Sequence, residues 1–263
     1  MKHEDLGELY GPVLLFGGPY SNLQALEALI AGNDMPPANM ICTGDVVAYC
    51  ADADKSIERI QGLGCAVLAG NCEKQLATDA DDCGCGFDEG SQCSILADGW
   101  YPHALRAVSS SQKIWMTNLP DIISFIHNGK RYAVTHGGFT NINRFIWSTS
   151  PDTVFVEEIT AIEAAIGPID AIVAGHSGIP FIKEIAGKTW INAGAIGMPP
   201  NDGGQQTRFV LLDHVPQIHK LHYDWKAAQT AMQAAGLTQG YEVALETGYW
   251  PSEDVLPPEL KRG

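Results

Sequence analysis

The stretch NMICTGDVVAY, residues 39–49, combines a short apolar run with a glycine and an acidic residue that follow it directly. The run Asn39–Cys42 is too short for a helix and has the length of a buried strand. Similar short runs recur along the chain at Val13–Phe16, Ala66–Ala69, Tyr132–Thr135, Ala171–Ala174, Thr189–Asn192 and Arg208–Leu212. The sequence therefore predicts a set of short strands whose ends carry glycine and polar residues.

Helical patterns alternate with several of these strands. The apolar positions that share a helix face are Leu23, Leu26 and Ile30, then Ile57 and Ile60, then Val154, Ile159, Ile162 and Ile166. Because strands and helices alternate early and strands dominate later, we expect an α/β layered fold. We expect residues 1–263 to form a single domain, with a Cys-, Gly- and Asp-rich insert at about 72–99. A helix at 225–235 and a proline-containing tail that wraps the surface should complete the segment 225–263.

The composition narrows the classes of partner. The formal net charge of −15 argues against nucleic acid, because phosphate backbones would be repelled. A small anionic ligand remains possible, since a bound metal ion can reverse the local field. No apolar run is long enough for a membrane span, and the acidic start does not resemble a secretory signal. The odd number of cysteines, seven, favours a reducing compartment. We therefore expect a cytoplasmic protein without a membrane partner.

Polar residues follow the predicted strands at equivalent positions. Asp45 follows the second strand, Asn71 the third, and His136 and His176 follow two later strands. Loops beyond the carboxyl ends of strands in an α/β sheet line up along one edge, where ligands bind. One carboxylate, one amide oxygen and two imidazoles suit a divalent Zn, Mn or Fe ion. Taken singly, each residue is also typical of a cap or a core position.

Several of these stretches resemble motifs of the calcineurin-like metallophosphoesterases. The matching segments are Ser21–Leu26, Thr43–Tyr49, Ala69–Glu73, Thr135–Gly137, Ala174–Gly178 and Ile191–Gly197. The segments occur in the family's order from about residue 13 to about residue 200. The resemblance implies a four-layer α/β/β/α sandwich and a phosphoesterase site that usually holds two metal ions.

The resemblance also indicates which metal site is kept. All four ligands of one site match, as Asp45, Asn71, His136 and His176. The other site needs an Asp-x-His pair after the first strand, where this chain has Gly18 and Tyr20, and a further histidine, where it has Gly178. We therefore expect one retained metal ion, with its neighbouring site erased.

The residue that usually contacts phosphate or protonates the leaving group is also replaced, here by Cys72. Cys72, Tyr20 and Glu73 are the candidates for the missing acid. Tyr20 could instead fill the empty first site, and Glu73 could instead be a carboxylate at a helix start. Arg144 is a candidate phosphate clamp, with an ordinary exposed arginine as the alternative.

Four cysteines, Cys72, Cys83, Cys85 and Cys93, form a cluster in sequence that is not of a common zinc-finger type. They could form a second metal site, an iron–sulfur centre or a redox site, or they could be buried small side chains or contain one adventitious disulfide. The favoured function is metal-dependent hydrolysis of a small phosphomonoester or phosphodiester. The alternatives are a non-catalytic protein that binds a metal or a phosphorylated ligand, and a cysteine-based redox or metal sensor.

Overall fold

The computed structural model describes residues 1–86 and 90–262, and the strands of these residues form two sheets. The strands are β1 (His3–Glu8), β2 (Val13–Phe16), β3 (Met40–Cys42), β4 (Ala66–Val67), β5 (Ile122–His127), β6 (Lys130–Val134), β7 (Ala171–Ala174), β8 (Phe181–Ile185), β9 (Lys188–Asn192), β10 (Thr207–Leu212) and β11 (Pro216–Leu221). One sheet has the order β1-β5-β6-β7-β9-β8, and the other has the order β11-β10-β2-β3-β4.

Each sheet contains a parallel core. In the five-stranded sheet β2, β3 and β4 are parallel, with Leu15 opposite Ile41. In the six-stranded sheet β6, β7 and β9 are parallel, with Ala133 opposite Ile172. Parallel neighbours bring their carboxyl ends to the same side of a sheet, so the loops after these strands can converge.

Every predicted strand is present, but four strands were not predicted. Three of them, β1, β8 and β11, lie at sheet edges and carry many exposed polar residues. An edge strand faces solvent over more of its length, so it lacks the continuous apolar run on which the prediction relied. The fourth, β5, is almost fully buried, and its apolar sequence was overlooked.

Eight helices lie among the described residues and cover the outer faces of the two sheets. They are α1 (Leu23–Gly32), α2 (Ala53–Leu63), α3 (Asn71–Ala77), α4 (Gln92–Ala107), α5 (Ser110–Asn118), α6 (Asp152–Ile166), α7 (Trp225–Ala234) and α8 (Tyr241–Thr247). Short 3₁₀ turns occur at Pro37–Asn39 and Pro258–Leu260.

The buried side chains define four layers. Between the sheets, residues such as Leu15, Phe125 and Val173 form one apolar cluster to which both sheets contribute. On the outer face of the six-stranded sheet, α6 packs through Phe155 against Trp190. The other helices contribute to the large cluster on the outer face of the five-stranded sheet. The fold is therefore the α/β/β/α sandwich that the sequence predicted.

Two segments contain more helix than predicted. The proposed insert at 72–99 includes most of α3 and the first half of α4, so much of it is regular structure. After α7 the chain forms a second helix, α8, where we predicted only a tail. The start of α4 was not predicted, because the high Asp, Gly and Cys content of the insert is not typical of a helix.

No helix in the described part of the chain is long and apolar enough to cross a membrane.

Candidate metal site

The four predicted metal ligands come from both sheets. Asp45 follows β3 and Asn71 follows β4, while His136 follows β6 and His176 follows β7. All four residues lie near the carboxyl ends of the parallel strands, as predicted. The site differs from the prediction in that it joins two sheets across the sandwich instead of lying along one sheet.

The polar atoms of these residues meet around the His136 ring. His136 Nε2 lies 3.0 Å from Asn71 Oδ1 and 3.2 Å from His176 Nδ1. Asp45 Oδ2 lies 3.2 Å from the same nitrogen. Ligand atoms of Asp45, His136 and His176 all fall within 4.8 Å of one another, which makes these three residues a candidate metal site.

The surrounding hydrogen bonds show that the converging atoms are acceptors. His136 Nδ1 lies 2.7 Å from the Thr43 carbonyl oxygen, which can only accept, so Nδ1 carries a proton. In neutral His136 the lone pair is therefore on Nε2, toward the site. Asn71 Nδ2 donates to the Cys83 carbonyl oxygen at 2.9 Å, which directs Asn71 Oδ1 toward His136. Lone pairs of oxygen and nitrogen thus face one another at close range, and a divalent cation fits between them.

The charges of the side chains also suit a cation. Burial alone would raise the pKa of Asp45, but the charge and hydrogen bond of His136 hold it below its ordinary value. Burial alone would lower the pKa of His136, but the Asp45 carboxylate raises it above its ordinary value. Burial and the nearby His136 lower the pKa of His176 to about 3, so His176 is a neutral imidazole.

The backbone at the site is held in unusual conformations. Asp45, His176 and Tyr20 have positive φ values of 54°, 59° and 52°. A residue with a side chain in this region costs roughly 1–2 kcal/mol, and such positions cluster at functional sites. At Gly70 an added Cβ would lie 2.3 Å from Asp45 Oδ1, so only glycine allows the two loops to approach this closely.

Glu73 supports this close approach. Its Oε2 accepts hydrogen bonds from the backbone N–H groups of Asp45 at 2.7 Å and Gly70 at 2.9 Å. Its Oε1 accepts from the Val47 N–H at 3.3 Å. Burial and then the Asp45 charge raise the pKa of Glu73 to about 7. These contacts favour the structural role of Glu73 over the role of an acid: it is a carboxylate at the start of α3 that organises the metal-site loops.

Tyr20 lies between Gly18 and Gly178, two positions where the resemblance expects ligands of the other metal site. Its ring carbons lie 2.4–2.8 Å from where a Cβ on Gly18 would be, and its hydroxyl lies 3.7 Å from the corresponding point on Gly178. The ring also contacts Tyr49 edge-on, with centroids 4.9 Å apart. The side chain therefore lies over the positions where the resemblance requires two other ligands.

Three of the four clustered cysteines lie beside Asn71. Asn71 Nδ2 lies 3.3 Å from Cys85 Sγ and 3.6 Å from Cys72 Sγ, and the sulfurs of Cys83 and Cys85 are 2.8 Å apart. Cys93 is on α4 and is near Ser252 and the residues that follow it. All seven cysteines are free thiols.

The contacts of these cysteines favour a supporting role. Among the described residues, the cysteines do not form a group of three or more convergent metal ligands. Asn71 instead uses its amide protons on the Cys83 carbonyl and the neighbouring sulfurs. The geometry therefore supports a role in orienting Asn71 more than it supports a second metal or an iron–sulfur centre.

Arg144 is committed to other partners. Its Nη1 lies 2.7 Å from Oε1 of the fully buried Glu158 and 2.9 Å from Oε2 of Glu157. Glu158 also accepts hydrogen bonds from Thr140. The guanidinium thus neutralises a buried carboxylate, and these contacts favour a structural role over the predicted phosphate clamp.

A pocket of about 620 Å³, including its open mouth, adjoins Asp45 and His176. Tyr20 lines it, together with Tyr49, Tyr241 and Trp250. The sequence analysis did not predict Tyr49, Tyr241 or Trp250 as site residues. The C-terminal segment contributes Ser252 and Val255 as well, so it forms part of the pocket wall. Nothing in the local sequence signals these positions, because they depend on how distant segments pack.

Two further residues secure the metal-site loops. Thr43 holds His136 through its carbonyl oxygen, and its Oγ1 would lie 2.3 Å from a Cβ at Gly175. Asn192, at the end of β9, donates to the Gly175 carbonyl at 2.9 Å and to Ser177 Oγ at 2.8 Å. These residues lie within the motifs Thr43–Tyr49 and Ile191–Gly197, which could have indicated their importance.

Comparison with known proteins identifies relatives over most of the chain. The protein MJ0912 of Methanocaldococcus jannaschii is 25% identical over 232 residues, which cover 80% of this chain and 86% of that protein. The crystal structure of a metallophosphoesterase from Sphaerobacter thermophilus matches with a TM-score of 0.70 and 18% identity, over 91% of this chain and 100% of that one. Protein PH1004 of Pyrococcus horikoshii matches with a TM-score of 0.71 and 15% identity, over 92% and 98%.

These structural matches show a shared fold. A family model for the calcineurin-like phosphoesterase superfamily domain matches residues 21–215, which include all four candidate metal ligands. The motifs, the sandwich and the family match agree, and the chain belongs to the calcineurin-like phosphoesterase superfamily.

Proposed function

We propose that this protein is a metal-dependent phosphoesterase that hydrolyses a small phosphomonoester or phosphodiester with one divalent transition metal ion. Asp45, Asn71, His136 and His176 would hold the ion, which would be Zn, Mn or Fe. The observation that carries the proposal is the convergence of their acceptor atoms on His136 Nε2 at 3.0–3.2 Å. The proposal includes the reducing, cytoplasmic location expected from the cysteines.

The bound ion would supply Lewis-acid polarisation of a phosphoryl oxygen and of an attacking water. The chain itself orients the ligands, since Thr43 fixes the His136 ring and Glu73 fixes the loop of Asp45.

Of the three candidates for the missing acid, Tyr20 is the best placed. It lines the pocket, whereas Cys72 is buried beside Cys85 and Asn71, and Glu73 is bound to backbone N–H groups. Burial and the Asp45 charge raise the pKa of Tyr20 well above its ordinary value, so the hydroxyl keeps its proton. Tyr20 would therefore donate a hydrogen bond to a phosphoryl oxygen without transferring a proton.

A non-catalytic protein that binds a metal ion or a phosphorylated ligand is the second candidate. The filling of the first site by Tyr20 favours it, because a two-metal displacement has no place for its other ion. The two candidates share the metal site and differ only in turnover.

Turnover by the metal-loaded protein distinguishes them. Protein loaded in turn with Zn, Mn and Fe should hydrolyse 4-nitrophenyl phosphate esters, and His136→Ala should abolish the activity because it removes the central ligand. His214→Ala is the matched control, since His214 is exposed in the turn between β10 and β11. Undiminished turnover by His136→Ala would contradict the proposal. Metal binding without turnover of any phosphate ester would favour the non-catalytic candidate.

A further inference from the structure

We infer that the site selects a singly charged phosphodiester with an aromatic group over a doubly charged phosphomonoester. This inference rests on the proposed function and names the substrate class of the same site. Three features of the described residues carry it: the charge at the metal site, the lining of the pocket and the absence of a residue placed to protonate the leaving group.

The charge at the site matches a monoanion. A divalent ion with Asp45 as its only carboxylate ligand has a net charge of about +1. A phosphomonoester carries about −1.5 to −2 at neutral pH, whereas a phosphodiester carries one negative charge. The diester is therefore neutralised by the site, and the monoester is left with an unpaired charge.

The pocket offers no second cation for a dianion. Its described lining contains no lysine or arginine, and Arg144 is bound to Glu157 and Glu158. Phosphate dianions in proteins are usually matched by several positive groups or backbone N–H donors. A dianion in this pocket would thus be held mainly by the metal ion.

The remainder of the pocket suits an aromatic group. Tyr20, Tyr49 and Tyr241 form a continuous set, with ring centroids 4.9 Å and 4.4 Å apart along it. The Trp250 indole N–H donates to the Pro199 carbonyl at 2.7 Å, which fixes the orientation of the ring. Rings held in this way present preformed faces and edges to an aromatic ligand, so little side-chain freedom is lost on binding.

The leaving group must also depart without protonation by a side chain of the pocket. Asp45 and His176 would bind the metal ion, and no other described residue that lines the pocket is an Asp, Glu, His or Lys. Esters whose leaving group is stable as an anion, such as aryl esters that release a phenolate, depend least on protonation of the leaving group. A phosphodiester with an aryl ester group satisfies this condition and also supplies the aromatic group that suits the pocket.

Three chromogenic esters with the same leaving group test the inference on the metal-loaded protein. They are bis(4-nitrophenyl) phosphate, methyl 4-nitrophenyl phosphate and 4-nitrophenyl phosphate. At about pH 8, where the monoester is a dianion, kcat/KM should be at least about tenfold higher for the bis-aryl diester than for the monoester. It should also exceed that for the methyl diester, which has the same charge but no second ring.

A variant that adds a cation provides an independent check. Val255→Lys places an ammonium group at the pocket wall and should shift the ratio of the dissociation constants for diphenyl phosphate and phenyl phosphate, measured by calorimetry, toward the monoester by about tenfold. Val215→Lys is the matched control, because Val215 is exposed in the turn between β10 and β11, and its ratio should not change.

The outcomes separate this inference from the proposed function. Metal-dependent turnover that favours the monoester would overturn the inference and leave the proposed function standing. Equal kcat/KM for the two diesters would overturn the preference for an aromatic group. No turnover of any of the three esters by protein that contains metal would overturn the proposed function, and the inference with it.

Discussion

Substitutions of Tyr20 separate its two suggested roles, which are to pack beside the metal site and to donate a hydrogen bond to a bound phosphate. The ring is buried, lies over Gly18 and contacts Tyr49, so Tyr20→Ala leaves a void beside the metal site. Removal of a large buried aromatic side chain costs about 3–5 kcal/mol, and access of water from the pocket favours the lower end. With about 2–4 °C per kcal/mol for a protein of this size, a loss of about 3 kcal/mol lowers Tm by roughly 6–12 °C.

Tyr20→Phe keeps the ring and removes only the hydroxyl. Tyr20 lines the pocket and the substitution leaves its ring in place, so the free energy of unfolding should change by less than about 0.5 kcal/mol. If the hydroxyl donates to a phosphoryl oxygen, kcat/KM should nevertheless fall by about a hundredfold.

The assays are thermal unfolding, chemical denaturation and diester turnover on the same metal-loaded preparations. Tyr10→Ala is the matched control, because Tyr10 is 75% exposed and its loss should leave Tm and turnover unchanged. An unchanged Tm in Tyr20→Ala would refute the packing role. Full turnover in Tyr20→Phe would refute the donor role and leave Tyr20 as a packing residue.

Three further predictions concern the metal ion, the cysteines and Arg144. Metal present at about 100 times its Kd should stabilise the wild type by about 2.7 kcal/mol and raise Tm by roughly 5–11 °C, and His136→Ala should lose this shift. The double variant Cys83→Ser, Cys85→Ser should bind as much metal per chain as the wild type, because it keeps the Cys83 carbonyl that accepts from Asn71 and because the two thiols do not belong to a separate convergent site in the described structure; a loss of one metal ion would contradict this. Arg144→Ala should lower the free energy of unfolding by about 1–3 kcal/mol, because it leaves Glu158 buried without its cation. The value of kcat/KM should change by less than about threefold. A large rise in KM at unchanged stability would instead support a phosphate clamp.

The convergence of the candidate metal ligands could be predicted because these residues are next to strands. A strand of four buried residues followed by Gly-Asp or Gly-His has a strong local pattern, and the topology brings such ends together. The sandwich followed from the same motifs. Edge strands such as β1 and β11 were missed, since their exposed faces remove the apolar run that marks a buried strand.

The pocket could not be predicted in the same way. Tyr241 and Trp250 reach it from the C-terminal segment, which shares no local pattern with the metal-site motifs. The sequence suggested Arg144 as a phosphate clamp, but its partner in the fold is the buried carboxylate of Glu158. Roles that depend on packing between distant segments require the three-dimensional arrangement, whereas ligands at strand ends do not.

Elemental analysis of protein purified without chelator tests the central claim most directly. The account predicts about one transition metal ion per chain, with loss of that ion in His136→Ala, because four convergent acceptors form one site and Tyr20 fills the other. Two ions per chain would contradict the filled first site. No bound metal, even after incubation with an excess of Zn, Mn or Fe, would contradict the retained site and the function proposed for it.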